Sequence, residues 1–481
     1  SDSNFTIGRN EARLLSVAGA SRRLPLFIKR ARRVIQALLS TRRAGGLVLH
    51  PSAQGVRMNI RTLISLSSAA LALVAGCKSK GDAVPEPAPA NAPAAEPTLV
   101  LGASLSLTGS LAREGGLTKE GYELCAKVVN EKGGVPVADK KLKLEIRFQD
   151  DTSKPDTAAQ LVDQYNDQGV KLILGPYGSA TTEAAAAVIE RNGQVMADTA
   201  GADDKIFQKN YTRTFAVLSP ASQYVASMVQ AVAELAQPKP TTIAIISADD
   251  GFSKTATKGG IAKAQELGFQ VVAEEYVPNA TSDVSSALTK IKPKNPEVIF
   301  GSAHVVESIA IVRQAGELGV KPLAFAETIA PHTPDFVKTL GAASEGVLGS
   351  TQWTPKTAGS DKWFGTATEY AATFSKMFGG REPAYQNAQA TAGCLALILA
   401  AEKAGSTEAN AVREQLAKLD EKTFFGPIKF NQQGQNVAKF MSVIQIQNGK
   451  PVGVWPKDSA EAPLRWPEKA APTAKVSKTK G

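Results

Sequence analysis

The sequence predicts an α/β protein built from two similar units that follow one another along the chain. From Thr98 onward, short runs of β-branched and aliphatic residues alternate with segments of helical periodicity, and this alternation is typical of βαβ winding around a parallel sheet. After Pro220 the alternation begins again with a helix. The chain of 481 residues is long enough to form two separate cores.

A secretory leader precedes this region. Residues 58–77, "MNIRTLISLSSAALALVAGC", combine a basic start, a short apolar run and small residues before Cys77, as signal peptides do. The apolar run is too short to cross a bilayer comfortably. Because "LVAGC" resembles a lipobox, we expect Cys77 to be lipidated and to become the mature N-terminus. The alternative is a buried apolar helix that ends in a chance cysteine.

Residues 1–57 are strongly basic. They hold eleven basic and two acidic side chains, so their net charge of +9 accounts for most of the +10 of the whole chain. Such a segment could bind nucleic acid. A basic stretch ahead of an export signal is more simply an over-extended start, and we expect it to lie outside the native protein. The remainder is nearly neutral and gives no indication of a nucleic-acid partner.

Two segments that lack core-forming residues flank the α/β region. Residues 78–97 contain five prolines and predict an extended tether between a membrane and the folded domain. Residues 457–481 are rich in Lys, Ala and Pro and predict a flexible tail.

The elements are predicted in an alternating order in both units. In the first unit the strands are "TLVLGASL", "LKLEIRFQD", "VKLILG" and "QVMADT", and the helices lie around 115–131, 155–168 and 180–191. In the second unit the strands are "TTIAIISADD", "FQVVAEEYV", "EVIFGSA" and "KPLAFAE", with helices at 221–235, up to 267, around 288 and up to 318. The C-terminal part departs from this order, because helices at 362–377 and 383–403 and a shorter one up to 419 precede "GPIKFNQQGQ" and the strand "AKFMSVIQIQ".

Cysteine and histidine usage argues against a metal site. Cys125 and Cys394 lie on apolar faces of predicted helices and are expected as two buried thiols, with a disulfide between them as the alternative. The sequence has no CxxC or HExxH motif and only three histidines, so we expect no metal site and no cofactor.

One turn of the first unit has the features of an anion site. In "KLILGPYGSATTEAAAAVIERNG", residues 171–193, a strand runs through a Gly-rich turn into a helix. Ser179 is expected at the N-cap, so that its hydroxyl and the amides of Ala180 and Thr181 face outward at the positive end of the helix dipole. This geometry binds anions; the alternative is that Ser179 only caps its helix.

Several segments together resemble a known family. They are "LVLGASLSLTGSLAREGGLTKEGYELCAKVVNEKGG", "RFQDDTSKPDTAAQLVDQY", "LILGPYGSATT", "IVRQAGELGV" and "FGPIKFNQQG". In this order and spacing they are similar to type I periplasmic binding proteins of the branched-chain amino-acid ABC importers, over Thr98 to about Val454. Each motif is short, and the specificity comes from their combination.

The resemblance implies a clamshell of two Rossmann-like lobes joined by three hinge crossings, near 214–222, 345–353 and 424–430. Lobe 1 would comprise 98–217 and 351–425, and lobe 2 would comprise 218–350 and 426–456. The ligand would lie in the cleft at the carboxyl ends of the strands, where the lobes close on it. The protein would be no enzyme but a monomer that serves ABC permease subunits.

The resemblance also implies the ligand contacts. Ser179 and the neighbouring amides would bind the α-carboxylate. The next contacts with the ligand would be the carbonyl of Ala200 and the amide of Ala202, where the family usually has a hydroxyl residue. In lobe 2, Phe252 and His304 stand where tyrosines are usual. The acid that binds the ligand's ammonium group would be Glu327, or its place would be taken by Thr328; His304 could alternatively face solvent.

The first loop departs from the family in its polarity. Arg113 and Glu114 stand where an aromatic wall is common, and the alternative is that both are solvated. With His304 they favour a ligand more polar than leucine. The sequence therefore predicts a lipid-anchored, extracytoplasmic solute-binding protein for an amino acid, an amide or a related carboxylate. A ligand sensor for a membrane signalling partner stays open, as does an envelope hydrolase, although no GxSxG motif is present.

Overall fold

The computed structural model describes residues 96–467, and the expected basic segment, signal peptide, Cys77 and most of the tether lie outside this range. The first sheet has six strands in the order β2-β3-β1-β4-β5-β6, all parallel to their neighbours except β2. Its elements are β1 (Thr98–Leu105), α1 (Ala112–Glu131), β2 (Val135–Val137), β3 (Lys140–Asp150), α2 (Pro155–Asp167), β4 (Leu172–Leu174), α3 (Ser179–Asn192), β5 (Val195–Asp198) and β6 (Thr214–Ala216).

The next part of the chain forms a second parallel sheet with helices on its faces. Its elements are α4 (Ser222–Leu235), β7 (Thr242–Ala248), α5 (Gly251–Glu266), β8 (Gln270–Val277), α6 (Ser285–Ile291), β9 (Val298–Ser302), α7 (Val305–Leu318), β10 (Ala324–Glu327), α8 (Pro334–Leu340) and β11 (Leu348–Thr351). The central strands β7 and β9 are almost continuous apolar runs, because both faces of the sheet are covered there.

The C-terminal part contributes to both sheets. The elements that pack on the first sheet are β12 (Ser360–Asp361), β13 (Gly365–Thr366), α9 (Ala367–Met377), α10 (Tyr385–Ala404), α11 (Ala409–Leu416), β14 (Asp420–Thr423) and β15 (Gly426–Lys429). Two antiparallel strands, β16 (Ser442–Gln447) and β17 (Lys450–Trp455), complete the second sheet in the order β17-β16-β11-β10-β9-β7-β8. We refer to the first sheet with α1–α3 and α9–α11 as lobe 1, and to the second sheet with α4–α8 as lobe 2.

Helix α10 is buried around almost its whole circumference. Its Ala- and Leu-rich sequence "YQNAQATAGCLALILAAEKA" has few charges, as expected of a helix that is covered on all sides. It packs against α1, and Cys394 of α10 forms a disulfide with Cys125 of α1, with a Cα–Cα distance of 6.4 Å. The expectation of two free buried thiols was therefore wrong, because the helices that carry them meet in lobe 1.

Three crossings connect the lobes and bond to one another. The Ser219 amide donates to Gln352 Oε1 at 3.0 Å, the Ser219 hydroxyl donates to the Lys439 carbonyl at 3.2 Å, and Asn436 Nδ2 donates to the Val217 carbonyl at 2.9 Å. The third crossing lies later than the expected 424–430. Phe430 still packs against lobe 1, so the chain crosses between this residue and β16.

The start of the expected flexible tail is bound to lobe 2. The side-chain amide of Gln445 donates to the Arg465 carbonyl at 2.8 Å and its oxygen accepts from the Arg465 amide at 2.9 Å, while Leu464 and Trp466 pack against the core. The prediction of a flexible tail rested on the average composition of 457–481, in which these two apolar residues have little weight. Within residues 96–467, no helix is long and apolar enough to cross a membrane.

Candidate functional site

A small cavity lies between the lobes, at the carboxyl ends of the parallel strands. Both lobes line it, and α3, α5, α7 and α10 all begin at or beside it. The lining residues are Tyr177, Gly178, Ser179, Ala200, Ala202, Tyr224, Phe252, His304, Ile329, Tyr385 and Gln389. This is the edge at which open α/β sheets bind ligands.

Helix α3 directs its N-terminus into the cavity. Gly178 is the N-cap residue with φ 99°, and Ser179 is the first residue of the helix, so the expectation of Ser179 as the cap was wrong. A side chain at Gly178 would be strained, because a Cβ atom there would lie 2.8 Å from Leu111 Cδ1. The first-turn amides have no acceptor within the helix, and together with the helix dipole they favour an anion.

The Ser179 hydroxyl is oriented by the loop after β5. Its oxygen accepts a hydrogen bond from the Asp203 amide at 3.0 Å, which leaves the hydroxyl proton free to be donated toward the cavity. Thr181 Oγ1 donates to the Tyr177 and Gly178 carbonyls at 2.6 and 2.8 Å and fixes the turn. The methyl group of Ala180 is exposed, so this residue can offer a ligand only its amide.

Asp198 shapes the loop that brings Ala200 and Ala202 to the cavity. Its Oδ1 accepts from the amides of Ala200 and Gly201 at 3.0 and 2.7 Å. Burial raises the pKa of Asp198 to about 7, although these two amides oppose the shift. The Ala200 amide is therefore occupied, which is compatible with the expected use of its carbonyl.

Aromatic rings form the wall opposite α3. Phe252 packs edge-on against Tyr224, with 5.0 Å between ring centroids, and its centroid lies 5.5 Å from that of His304. The predicted Phe252 and His304 both line the cavity, whereas Tyr177, Tyr224, Ile329, Tyr385 and Gln389 were missed. A signal existed for two of the missed residues, since Tyr385 and Gln389 are four positions apart on α10 and share one helix face.

His304 forms an ion pair with Asp250 beneath this wall. The distance from His304 Nε2 to Asp250 Oδ2 is 3.3 Å. Burial alone would lower the pKa of His304, but Asp250, Glu114 and Glu307 outweigh it and raise this pKa to about 9. Burial acts to raise the pKa of Asp250, and the imidazolium reverses this and lowers it to about 2. His304 Nδ1 is buried without a hydrogen-bond partner among residues 96–467.

Arg113 and Glu114 have different environments, and neither lines the cavity. Arg113 is half exposed and forms an ion pair with Asp335 of lobe 2, with 3.1 Å between Nε and Oδ2. Glu114 is buried beside His304 and the backbone of Val305; burial raises its pKa, and the His304 charge opposes the rise. The solvated alternative therefore holds for Arg113 only.

Glu327 and Thr328 do not line the cavity either. A Cβ atom at Gly301 would overlap the Glu327 carboxyl group, which lies on the side of the sheet where Glu307 and Ser308 are found. Burial raises the pKa of Glu327 well above its ordinary value. Thr328 Oγ1 donates to the Ala303 carbonyl at 2.7 Å and accepts from its amide at 3.0 Å.

The cavity is equipped for binding. Its walls offer helix amides, hydroxyl groups, one imidazolium and aromatic rings. In the described part of the chain, no group of three or more His, Cys, Asp and Glu side chains is arranged to hold a metal ion.

Comparison with known proteins agrees with this geometry. The family model described as "Periplasmic binding protein" matches residues 98–451. The chain is 24% identical over 399 residues to the Leu/Ile/Val-binding protein homolog 7 of Brucella suis biovar 1 (strain 1330), covering 79% of this chain and 96% of that one.

Solved structures show the same fold. A leucine-binding protein from Thermotoga maritima is similar with a TM-score of 0.66 and 23% identity, covering 74% of this chain and 97% of that one. A solute-binding protein from R. palustris, solved in complex with benzoate, is similar with a TM-score of 0.63 and 16% identity, covering 77% and 98%. The predicted two-lobed α/β clamshell is confirmed, and the relatives are binding proteins rather than enzymes. By the match over most of its length, the chain belongs to the periplasmic binding protein family.

Proposed function

We propose that this protein captures a small carboxylate outside the cytoplasm and delivers it to an ABC importer. The observation that carries the proposal is the open N-terminal turn of α3, with Ser179, at a cavity enclosed by both lobes. Backbone amides at a helix N-terminus bind a carboxylate without a fixed countercharge. The amino acid of a leucine-binding neighbour and the benzoate of another share this group.

Contacts between the lobes support capture by closure. Thr255 Oγ1 of lobe 2 donates to Asp203 Oδ1 of lobe 1 at 2.8 Å, and Arg113 of lobe 1 forms an ion pair with Asp335 of lobe 2. These contacts require the lobes to be together, so a ligand that touches both lobes would favour the same arrangement. We propose that the permease subunits recognise this closed arrangement of a monomeric binding protein.

We further propose that a lipid at Cys77 anchors the protein to the cell envelope. The supporting feature is the lipobox-like "LVAGC" ahead of the Pro-rich tether. Cys77→Ala should release the protein from membranes or stall its processing, while the otherwise identical wild type remains membrane-bound. A processed variant that still sediments with membranes would contradict the anchor.

Native mass spectrometry of gently purified protein tests the binding function. We expect a small bound anion, because an enclosed cavity releases its ligand slowly. Re-addition of that compound to ligand-stripped protein at about 100 times its dissociation constant should stabilise the fold by about 2.7 kcal/mol. A retained compound without any anionic group would contradict the proposal, and so would a failure of carboxylates of every kind to stabilise the stripped protein.

A further inference from the structure

We propose that this cavity selects carboxylates that carry no ammonium group and discriminates against α-amino acids. The inference rests on the function proposed above and narrows its ligand class. It departs from the contacts that sequence similarity implied, in which Glu327 would bind an ammonium group.

Within the described chain, the cavity walls offer partners for a carboxylate but none of opposite charge for an ammonium group. In an α-amino acid the carboxylate and the ammonium group are attached to the same carbon atom, and both need partners when they are buried. The carboxylate has its partners in Ser179 and the first-turn amides of α3. The cavity walls formed by residues 96–467 hold no carboxylate for the ammonium group.

The nearest acids either lie outside the cavity lining or are bonded to other groups. Glu327 lies against Gly301 and does not line the cavity, and both of its carboxyl oxygens are buried without a hydrogen-bond partner in the described chain. Asp198 Oδ1 holds the loop amides after β5. Asp250 is paired with His304 and caps α5 by accepting from the Ser253 amide at 2.9 Å. Glu114 is buried near the same imidazole and does not line the cavity. An ammonium group in the cavity would have to displace the partners of Asp250 or of Asp198 Oδ1, or reach a carboxyl group that does not line the cavity.

The dipole of α3 also disfavours a cation. A positive group in the cavity would lie at the positive N-terminal end of this helix. This end repels a cation and attracts an anion. The same walls therefore favour a ligand whose net charge is negative.

The remaining walls suit an uncharged body with a hydrogen-bonding substituent. Phe252, Tyr224 and Tyr385 present rings. Gln389 uses its Nε2 to donate to the Thr199 carbonyl, and its Oε1 is buried without a hydrogen-bond partner in the described chain. A hydroxyl group on a planar ligand could donate to this oxygen, which makes hydroxylated aromatic carboxylates the best-matched class.

Matched ligand pairs that differ only in the α-ammonium group provide the test. The probes are 4-methylpentanoate against leucine and 4-hydroxyphenylacetate against 4-hydroxyphenylglycine, titrated calorimetrically into ligand-stripped protein. We expect the deaminated member of each pair to bind at least about tenfold more tightly, since burying an unpaired charge is costly. Equal or tighter binding of the amino acids would overturn this inference while leaving the carboxylate-binding function intact. If neither member of either pair binds, the inference is overturned, and the mass-spectrometric test above then decides the carboxylate-binding function separately.

A variant that supplies the missing acid tests the cause. Ile329→Glu places a carboxylate in the cavity wall of lobe 2, and we expect it to shift the leucine to 4-methylpentanoate affinity ratio by at least about tenfold toward leucine. Tyr276→Glu adds the same charge to lobe 2 at a residue that is 45% exposed and outside the cavity, and should leave the ratio unchanged. An Ile329→Glu protein that folds and keeps the wild-type ratio would overturn the argument from wall composition.

Discussion

The hydroxyl oxygen of Ser179 accepts a 3.0 Å hydrogen bond from the backbone amide of Asp203, whose carboxylate accepts a 2.8 Å hydrogen bond from Thr255 on the other lobe. A single residue thus joins the anion site to a contact between the lobes. The close approach of the Asp203 carboxylate to the start of α5 needs a glycine there, because a Cβ atom at Gly251 would lie 2.6 Å from Asp203 Oδ2. Ligand binding and closure are therefore connected through Asp203.

Ser179→Ala should weaken binding of the carboxylate by roughly tenfold to a hundredfold, because it removes a charge-assisted hydrogen bond worth about 1.5 to 3 kcal/mol. The empty protein should lose only about 1 kcal/mol, since the Asp203 amide loses its acceptor but the helix keeps its Gly178 cap. Calorimetric titration and denaturant melts measure the two effects.

Ser344→Ala serves as the matched control for this variant. Ser344 is also buried, and its hydroxyl donates to the Gly341 carbonyl at 2.7 Å, away from the cavity. It should lower stability without changing affinity. A Ser179→Ala protein that behaves like this control would make Ser179 a structural residue.

Gln352 connects the hinge to the cavity wall. Besides its bonds to Ser219, its Nε2 donates to the Tyr224 hydroxyl at 3.0 Å. Gln352→Met should lower the free energy of unfolding by about 1 to 3 kcal/mol, because buried polar groups lose their partners, and should weaken ligand binding as well. Gln445→Met removes a buried glutamine remote from the cavity and should affect stability alone. If both variants keep the wild-type affinity, Gln352 does not connect the hinge to ligand binding.

The disulfide should stabilise the protein without contributing to the site. Cys125 and Cys394 are 269 positions apart, so the bond restricts a long loop of the unfolded chain. Replacing both by Ala should lower the free energy of unfolding by about 2 to 4 kcal/mol. The affinity of the folded protein should be unchanged. Identical urea midpoints for the wild type and the double variant would contradict a stabilising disulfide.

Stability should depend on pH through the His304 and Asp250 pair. The pKa of His304 is about 9 in the folded protein, against 6.5 for an ordinary histidine, which represents the unfolded chain. The contribution of His304 to stability is therefore fully present below pH 6.5 and is lost as the pH rises through 9. The pKa of Asp250, about 2 instead of 3.8, gives a contribution that is lost only as the pH falls through 2. Between pH 6 and 9.5 the His304 contribution should fall by about 1 to 3 kcal/mol.

His304→Gln isolates this contribution from other titrating groups. The carboxylates that face His304 are Asp250, Glu114 and Glu307, and they remain in the variant. The stability difference between wild type and variant should shrink as the pH rises from 6 to 9.5. Parallel stability curves over this range would show that the imidazolium adds nothing.

The fold could be read from the sequence because its signals are local. Alternating strands and helices, the Gly-rich turn before α3 and the interruption by C-terminal helices are all visible in the order of residues. The anion-binding part of the site could be predicted as well, because the same Gly-rich turn forms it. Ala200, Ala202, Phe252 and His304 lie at strand ends and therefore at the cavity.

The rest of the site depends on packing between distant segments. Tyr385 and Gln389 lie about 200 residues from Ser179 and reach it only because the chain crosses back to lobe 1. Glu327 ends β10, but its carboxyl group occupies the space beside Gly301 and does not line the cavity. The space that Gly301 leaves for Glu327 is invisible in a strand pattern.

The most direct test of the account is a crystal structure of the protein with its best-binding carboxylate. We expect the carboxylate oxygens within about 2.7 to 3.2 Å of Ser179 Oγ and the first-turn amides of α3, with the body of the ligand against Phe252 and His304 of lobe 2. A ligand bound outside this cavity, or one whose carboxylate contacts lobe 2 and leaves α3 free, would contradict the account.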